Sequence, residues 1–182
     1  MKSSYTEKID YGNIISIITF LKNPKKIVEF GILNGYSLKE FIESANSNCC
    51  IEAYDIFDDF TGNHADKDTL LKTFKKYSNI KIEYRDFYKK IEEIDDNSID
   101  ILHVDIANNG DVYEFVFQNY MQKISTNGVI IMEGGSVERD NIEWMNKYNK
   151  YKIKPIIDKY SKAYNIKTIG TIPSLTIIYK TF

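Results

Sequence analysis

The sequence predicts a doubly wound α/β domain: a mostly parallel seven-stranded sheet with helices on both faces and an antiparallel hairpin at its C-terminal end. Three observations point to it. Short apolar runs alternate with segments of helical periodicity along most of the chain. The first such run leads into a glycine-bracketed turn, Gly31 to Gly35. The last two runs, 165–170 and 175–179, face each other across a short connection holding Pro173, as a hairpin does.

Taken in order, Ile14, Ile17, Ile18 and Leu21 share one helical face, and Asn23-Pro24 ends that short opening helix. Lys26 to Phe30 is the first strand. Leu38, Phe41, Ile42 and Ala45 recur at helical spacing, and Ser37 with Glu40 has the form of a capping box. Cys50 to Tyr54, Ile80 to Tyr84 and Ile99 to Val104 are the next strands, with a helix over Lys67 to Tyr77 between the first two. Asp111 to Ile124 is predicted helical on the strength of Val112, Phe115, Val116 and Tyr120. Asn127-Gly128 is a turn signal ahead of a strand at Val129 to Met132, and Asp140 to Tyr148 is predicted as a helix carrying Trp144, Met145 and Tyr148 on one side.

With 182 residues and no Pro/Gly/Ser-rich linker, residues 1–182 read as one domain. The 24 basic and 26 acidic residues nearly cancel, so no global field favours nucleic acid or an anionic membrane. The run Ile14 to Leu21 is too short to span a bilayer, and Met1 to Asn13 is too polar for the apolar core of a signal peptide. The only two cysteines, Cys49 and Cys50, are adjacent, a poor geometry for pairing and no zinc spacing. A reduced, cytoplasmic protein is the expectation.

In sheets of this kind ligands sit beyond the carboxyl ends of the strands. The first strand runs into Glu29-Phe30-Gly31-Ile32-Leu33-Asn34-Gly35-Tyr36-Ser37. A dinucleotide fingerprint needs a second glycine where Leu33 stands, which argues against a nicotinamide-dependent oxidoreductase. Asp55 closes the second strand about twenty residues on, where a carboxylate can accept from both hydroxyls of a ribose. Asp86 and Phe87 follow the third strand. His103 and Asp105 end the fourth, sharing one side by alternation. Glu133-Gly134-Gly135-Ser136 follows the fifth, with Ser136 placed to cap a helix and Arg139 able to bind an anionic acceptor.

The spacing E-x-G-x-x-x-G-x-S at Glu29 to Ser37, with the strand-end residues Asp55, Asp86, His103-x-Asp105 and Glu133, resembles the class I S-adenosylmethionine-dependent methyltransferases, over about residues 25–136. The likeness is greatest to their compact bacterial small-molecule type. Asn127 stands where that group has a first glycine. The resemblance implies S-adenosylmethionine as cofactor. It implies cofactor contacts from Glu29, Gly31, Gly35, Ser37, Asp55, Ile56, Asp86, Phe87 and Asp105. It also implies O-methylation of a small molecule, with Asp105 as base and His103 or Glu133 as alternates. Catechol-type relatives carry a metal-binding acid at the place of Glu133, and Asp105 with Glu133 would begin a magnesium site. Ala107 replaces the second acid of that pattern, so no residue is assigned to a metal. The acceptor site falls to the opening helix, the Phe57 to Asp66 loop and the segment after Glu133, or is completed by a second subunit as a homodimer. A non-catalytic nucleoside-binding or oligomer-forming domain on the same fold is the alternative.

Overall fold

The computed structural model describes residue 5, residues 9–59 and residues 63–180. One sheet holds all seven strands: β1 (Lys26–Phe30), β2 (Cys50–Asp55), β3 (Ile80–Tyr84), β4 (Ile99–Val104), β5 (Ile124–Glu133), β6 (Tyr164–Gly170) and β7 (Ser174–Lys180). Their order is β3-β2-β1-β4-β5-β7-β6. The first five pair in parallel, whereas β7 runs antiparallel to both β5 and β6. Chain order therefore reverses between β1 and β4. The predicted sheet and its closing hairpin are both present.

Period-two alternation sends successive residues of the central strands to opposite faces. Ile27, Ile101, Val129 and Ile131 pack on one side with α1 (Tyr11–Lys22), α2 (Tyr36–Ser44) and α3 (Lys67–Phe74). Val28, Leu102, Ile130 and Met132 pack on the other with α4 (Phe87–Lys90), α5 (Gly110–Phe115) and, later in the chain, α7 (Ile153–Tyr160). A short α6 (Glu143–Lys147) lies between α5 and α7 in sequence. Among the described residues no helix is long and apolar enough to cross a membrane.

Several expectations need correction. Ser37 does not cap α2. Gly35 holds the N-cap position in a left-handed conformation, the Ser37 hydroxyl donates to Glu29, and Glu40 accepts from Ser16. The helix predicted over Asp111 to Ile124 is α5 followed by one wider turn, Val116–Tyr120. Asn127-Gly128 is not a turn before β5 but lies inside it. Ile99 pairs with Ile124 and Ile101 with Val129, so three extra residues of β5 are absorbed as a bulge. The helix predicted from Asp140 begins as a tight turn, Arg139–Asn141, and α6 follows it.

The sequence reading has no counterpart of α7. Ile153, Ile156, Ile157 and Tyr160 carry its i, i+3, i+4, i+7 stripe, and Pro155 falls in the first turn, where a missing N–H breaks no helical bond. The cap of α7 comes from far along the chain: Asp140, buried, accepts from Ile153 N (2.7 Å) and Lys154 N (2.8 Å). That contact fixes the loop after β5 against the second helical layer.

The tightest backbone approach lies at the switch between β1 and β4. Gly31 has φ +87°, and a Cβ there would stand 2.0 Å from the carbonyl oxygen of Asp105. Gly31 N donates to Tyr54 O and Asp105 N donates to Phe30 O, both at 2.9 Å, so neither strand end can back away without losing a bond. Gly31→Ala combines a disfavoured φ with a backbone clash. It is expected to lower unfolding free energy by about 3 kcal/mol or more in urea titration.

Candidate active site

The residues beyond the ends of β1, β2, β3, β4 and β5 enclose a cleft of about 640 Å³, within the range of small-molecule sites. Gly31 and Leu33 line it from the first turn, Asp55 and Ile56 from the second, Asp86 and Phe87 from the third, and Asp105 from the fourth. Six of the sequence-predicted residues, Gly31, Asp55, Ile56, Asp86, Phe87 and Asp105, thus meet in one place.

Asp55 is buried and heavily committed to the protein itself. Its Oδ2 accepts from Ile32 N (2.8 Å) and Leu33 N (3.4 Å), and its Oδ1 from Phe57 N (2.8 Å) and Asn63 Nδ2 (2.7 Å). The sequence reading places this carboxylate free for a sugar, whereas the structure shows it bracing the glycine turn as well. The Asn63 contact comes from a side chain and the Leu33 contact is long. Those two are the bonds that hydroxyl donors could replace without disturbing the turn. Residues 60–62 of the Phe57 to Asp66 loop lie outside the described residues.

Asp86 Oδ1 caps α4 through Tyr88 N (2.8 Å) and Lys89 N (3.2 Å). The Phe87 ring lies in the cleft wall, packed edge-on to Phe30 at 5.2 Å and stacked on Tyr120 at 5.0 Å between centroids. This wall is rigid and apolar, suited to one face of a planar base. Ile56, Phe87, Asp86 and Asp55 together present the apolar walls and acceptor groups that an adenosyl group needs, so the residues fit S-adenosylmethionine.

Five expected contacts are not in the cleft wall. Gly35 packs instead towards α3, where a Cβ would meet Phe74 Cε2 at 2.8 Å. Glu29 and His103 stand opposite one another in the β1–β4 register, both fully buried on the α1–α2 face. Glu29 Oε1 meets His103 Nδ1 at 2.9 Å and accepts from the Ser37 hydroxyl. His103 Nε2 lies 3.3 Å from the hydroxyl of Tyr5, which also hydrogen-bonds the side chain of Asp105. Glu29, Ser37 and His103 therefore form a buried network beneath the turn, with both ring nitrogens of His103 engaged. Tyr5 joins that network to the cleft. No local pattern marks it, because its partners are 98 and 100 positions away.

Glu133 is the fifth. Both its oxygens hold Arg139, Oε1 to Nε at 2.6 Å and Oε2 to Nη2 at 3.0 Å, with each residue about nine-tenths buried. Neither Glu138 nor Asp140 pairs with Arg139. Ser136 does cap as expected, accepting from Arg139 N at 2.9 Å. A divalent ion would have to displace the guanidinium, and Ala107 offers no oxygen. Among the described residues no group of three or more potential metal ligands converges. The side chains do not fit a magnesium site. Burial pushes the Glu133 carboxyl up to about 7, opposed by Arg139. Burial likewise raises the carboxyl of Asp105 above the usual carboxylate range, with His103 acting against the rise.

No protein-family model matches the chain, and no curated protein matches its sequence. Solved structures do match in shape. The S-adenosylhomocysteine-bound methyltransferase PaMTH1 of Podospora anserina superposes with a TM-score of 0.72 at 16% identity, covering 100% of this chain and 80% of its own. TomG is an O-methyltransferase of Streptomyces achromogenes involved in tomaymycin synthesis, solved with S-adenosylmethionine. It gives 0.71 at 14% identity, covering 94% and 79%. An O-methyltransferase of Bacillus cereus in complex with S-adenosylhomocysteine gives 0.68 at 14% identity, covering 93% and 80%. The chain has the fold of the class I S-adenosylmethionine-dependent methyltransferases.

Substituting Asp55 by Asn leaves one acceptor oxygen for two sets of buried N–H donors. It is expected to cost about 2 kcal/mol in urea unfolding and to weaken S-adenosylhomocysteine binding by about tenfold or more in calorimetry. Unchanged affinity in a folded Asp55→Asn protein would remove this carboxylate from the cofactor site.

Proposed function

We propose that the protein is an S-adenosylmethionine-dependent methyltransferase acting on an oxygen of a small-molecule acceptor. The observation that carries this reading is the cleft at the β1/β4 switch. It places Asp55 and Asp105 in a single wall, on the fold shared with three methyltransferases solved with this cofactor or its demethylated product.

The bound cofactor supplies an already activated methyl group. What the chain must do is align the acceptor, keep water out and remove a proton. Asp55 would hold the ribose end and Ile56 and Phe87 the base, and Gly31 allows the turn to lie against the segment bearing Asp105. Orientation of this kind is worth roughly 7–11 kcal/mol where the geometry is good. Asp105 is the base of this proposal: of the three candidate bases, it is the one in the cleft wall. In its ionised form it would accept the acceptor's hydroxyl proton, while the bound cofactor would supply the methyl group and leave as its demethylated product. His103 acts through Tyr5 to orient and partly stabilise that carboxylate, and Glu133 acts through Arg139.

Two measurements test this. An acceptor screen reading S-adenosylhomocysteine formation is expected to find turnover. Tight cofactor binding without turnover on any acceptor would instead favour the non-catalytic reading. With an acceptor in hand, Asp105→Asn is expected to lower kcat by about 10²–10⁴-fold with little change in cofactor affinity. Because the working form is the ionised carboxylate and its pKa is raised, kcat/KM should climb with pH. The midpoint should lie above the ordinary aspartate value of about 3.9, and the climb should be lost in Asp105→Asn. Full activity in that variant would exclude Asp105 as base.

A further inference from the structure

One end of the cleft, formed by Arg139, Trp144 and Lys150, has no part in holding the adenosyl group as proposed. Arg139 is 8% exposed, and its Nη1 is buried with no hydrogen-bond partner. Its Nη2 reaches Asn108 O only at 3.4 Å, besides Glu133. A charged donor left unpaired out of water costs more than the roughly 1–3 kcal/mol of a neutral one, so an arginine held this way is a binding group awaiting an acceptor.

A second cation lies close by. The Trp144 ring has Arg139 Cζ at 5.9 Å and Lys150 Nζ at 5.6 Å from its centroid. Lys150 has no carboxylate within ion-pair distance among the described residues. Glu133, in contrast, is already matched by Arg139. This end therefore offers an aromatic face, an ammonium with no carboxylate partner among the described residues and one unpaired guanidinium donor. Asp105 lies in the wall of the same cleft and is close enough to Arg139 to feel its charge.

Resting on the methyltransferase reading, we propose that this end binds the methyl acceptor, and that the acceptor is a ring-bearing hydroxy acid. Its carboxylate is held by Arg139 and Lys150, its ring lies on Trp144, and its hydroxyl is presented to Asp105. The planar guanidinium suits a carboxylate, and the ring face suits either an aromatic or a sugar acid.

Trp144 is the only tryptophan of the chain, so indole fluorescence reports on this end alone. The test loads the protein with saturating S-adenosylhomocysteine and titrates 4-hydroxybenzoate and glucuronate. 4-Hydroxybenzyl alcohol and glucose serve as neutral counterparts. At least one acid should shift the emission saturably and bind about tenfold or more tighter than its counterpart; which one does separates an aromatic from a sugar acceptor. Lys150→Gln, at an exposed position, should weaken that acid about three- to tenfold. Arg139→Lys, which keeps the charge beside Glu133, should weaken it about tenfold with unchanged S-adenosylhomocysteine affinity. Equal binding of acids and neutral counterparts, no binding of either acid, or indifference to Lys150→Gln would overturn the proposal. So would an Arg139→Lys protein that loses S-adenosylhomocysteine instead of the acid. If S-adenosylhomocysteine itself fails to bind the unmodified protein, the methyltransferase reading falls, and this inference with it.

Discussion

The approach of Gly31 to the backbone of Asp105 is the constraint on which the site depends. Strand order reverses between β1 and β4, so the turns after these strands diverge and a crevice opens between them. For the crevice to be floored rather than split, the two chains must touch at its base. A residue without a side chain at position 31 permits that contact, and the bonds Gly31 N to Tyr54 O and Asp105 N to Phe30 O hold it. Asp55 then ties the turn down from the β2 side through Ile32 N and Leu33 N. The same carboxylate that lines the cleft also shapes its wall, which accounts for its four hydrogen bonds to the protein.

Beneath the turn, polar chemistry replaces apolar packing on one face of the sheet. Glu29 and His103 occupy positions that alternation would give to aliphatic residues, next to Ile27, Ile101 and Ile131. They are tolerated because Glu29 Oε1 and both ring nitrogens of His103 find partners across the β1–β4 register and in Ser37 and Tyr5, although Glu29 Oε2 stays buried without one. Burying such groups unpaired would cost several kcal/mol, so the network specifies one arrangement of the turn. Through Tyr5 it also reaches Asp105, coupling the floor of the cleft to the proposed base.

Much of this was legible in the sequence, for identifiable reasons. β1, β3 and β4 fall where expected because short β-branched runs bounded by turns have one reading in an alternating α/β pattern. Asp55, Asp86 and Asp105 were legible as strand-end acids, since strand ends are where this architecture gathers its ligands. What stayed hidden depends on contacts between distant residues. Nothing local shows that Glu133 belongs to Arg139, that Asp140 caps α7, or that Tyr5 reaches His103. Pro155 disguises α7, whose apolar stripe is otherwise regular. Asn127-Gly128 reads as a turn because the pair so often forms one, and a bulge opposite Ile99 to Ile101 uses the same backbone freedom inside a strand. The magnesium reading rests on residue type at Glu133 and yields once its guanidinium partner is seen.

The most direct measurement is the structure of the protein crystallised with S-adenosylhomocysteine. The account predicts the adenine between Ile56 and Phe87, with the ribose on Asp55 in place of the Asn63 amide and the sulfur facing Asp105. An empty cleft at saturating ligand, or nucleoside bound elsewhere with Asp55 still holding all four of its own donors, would contradict it.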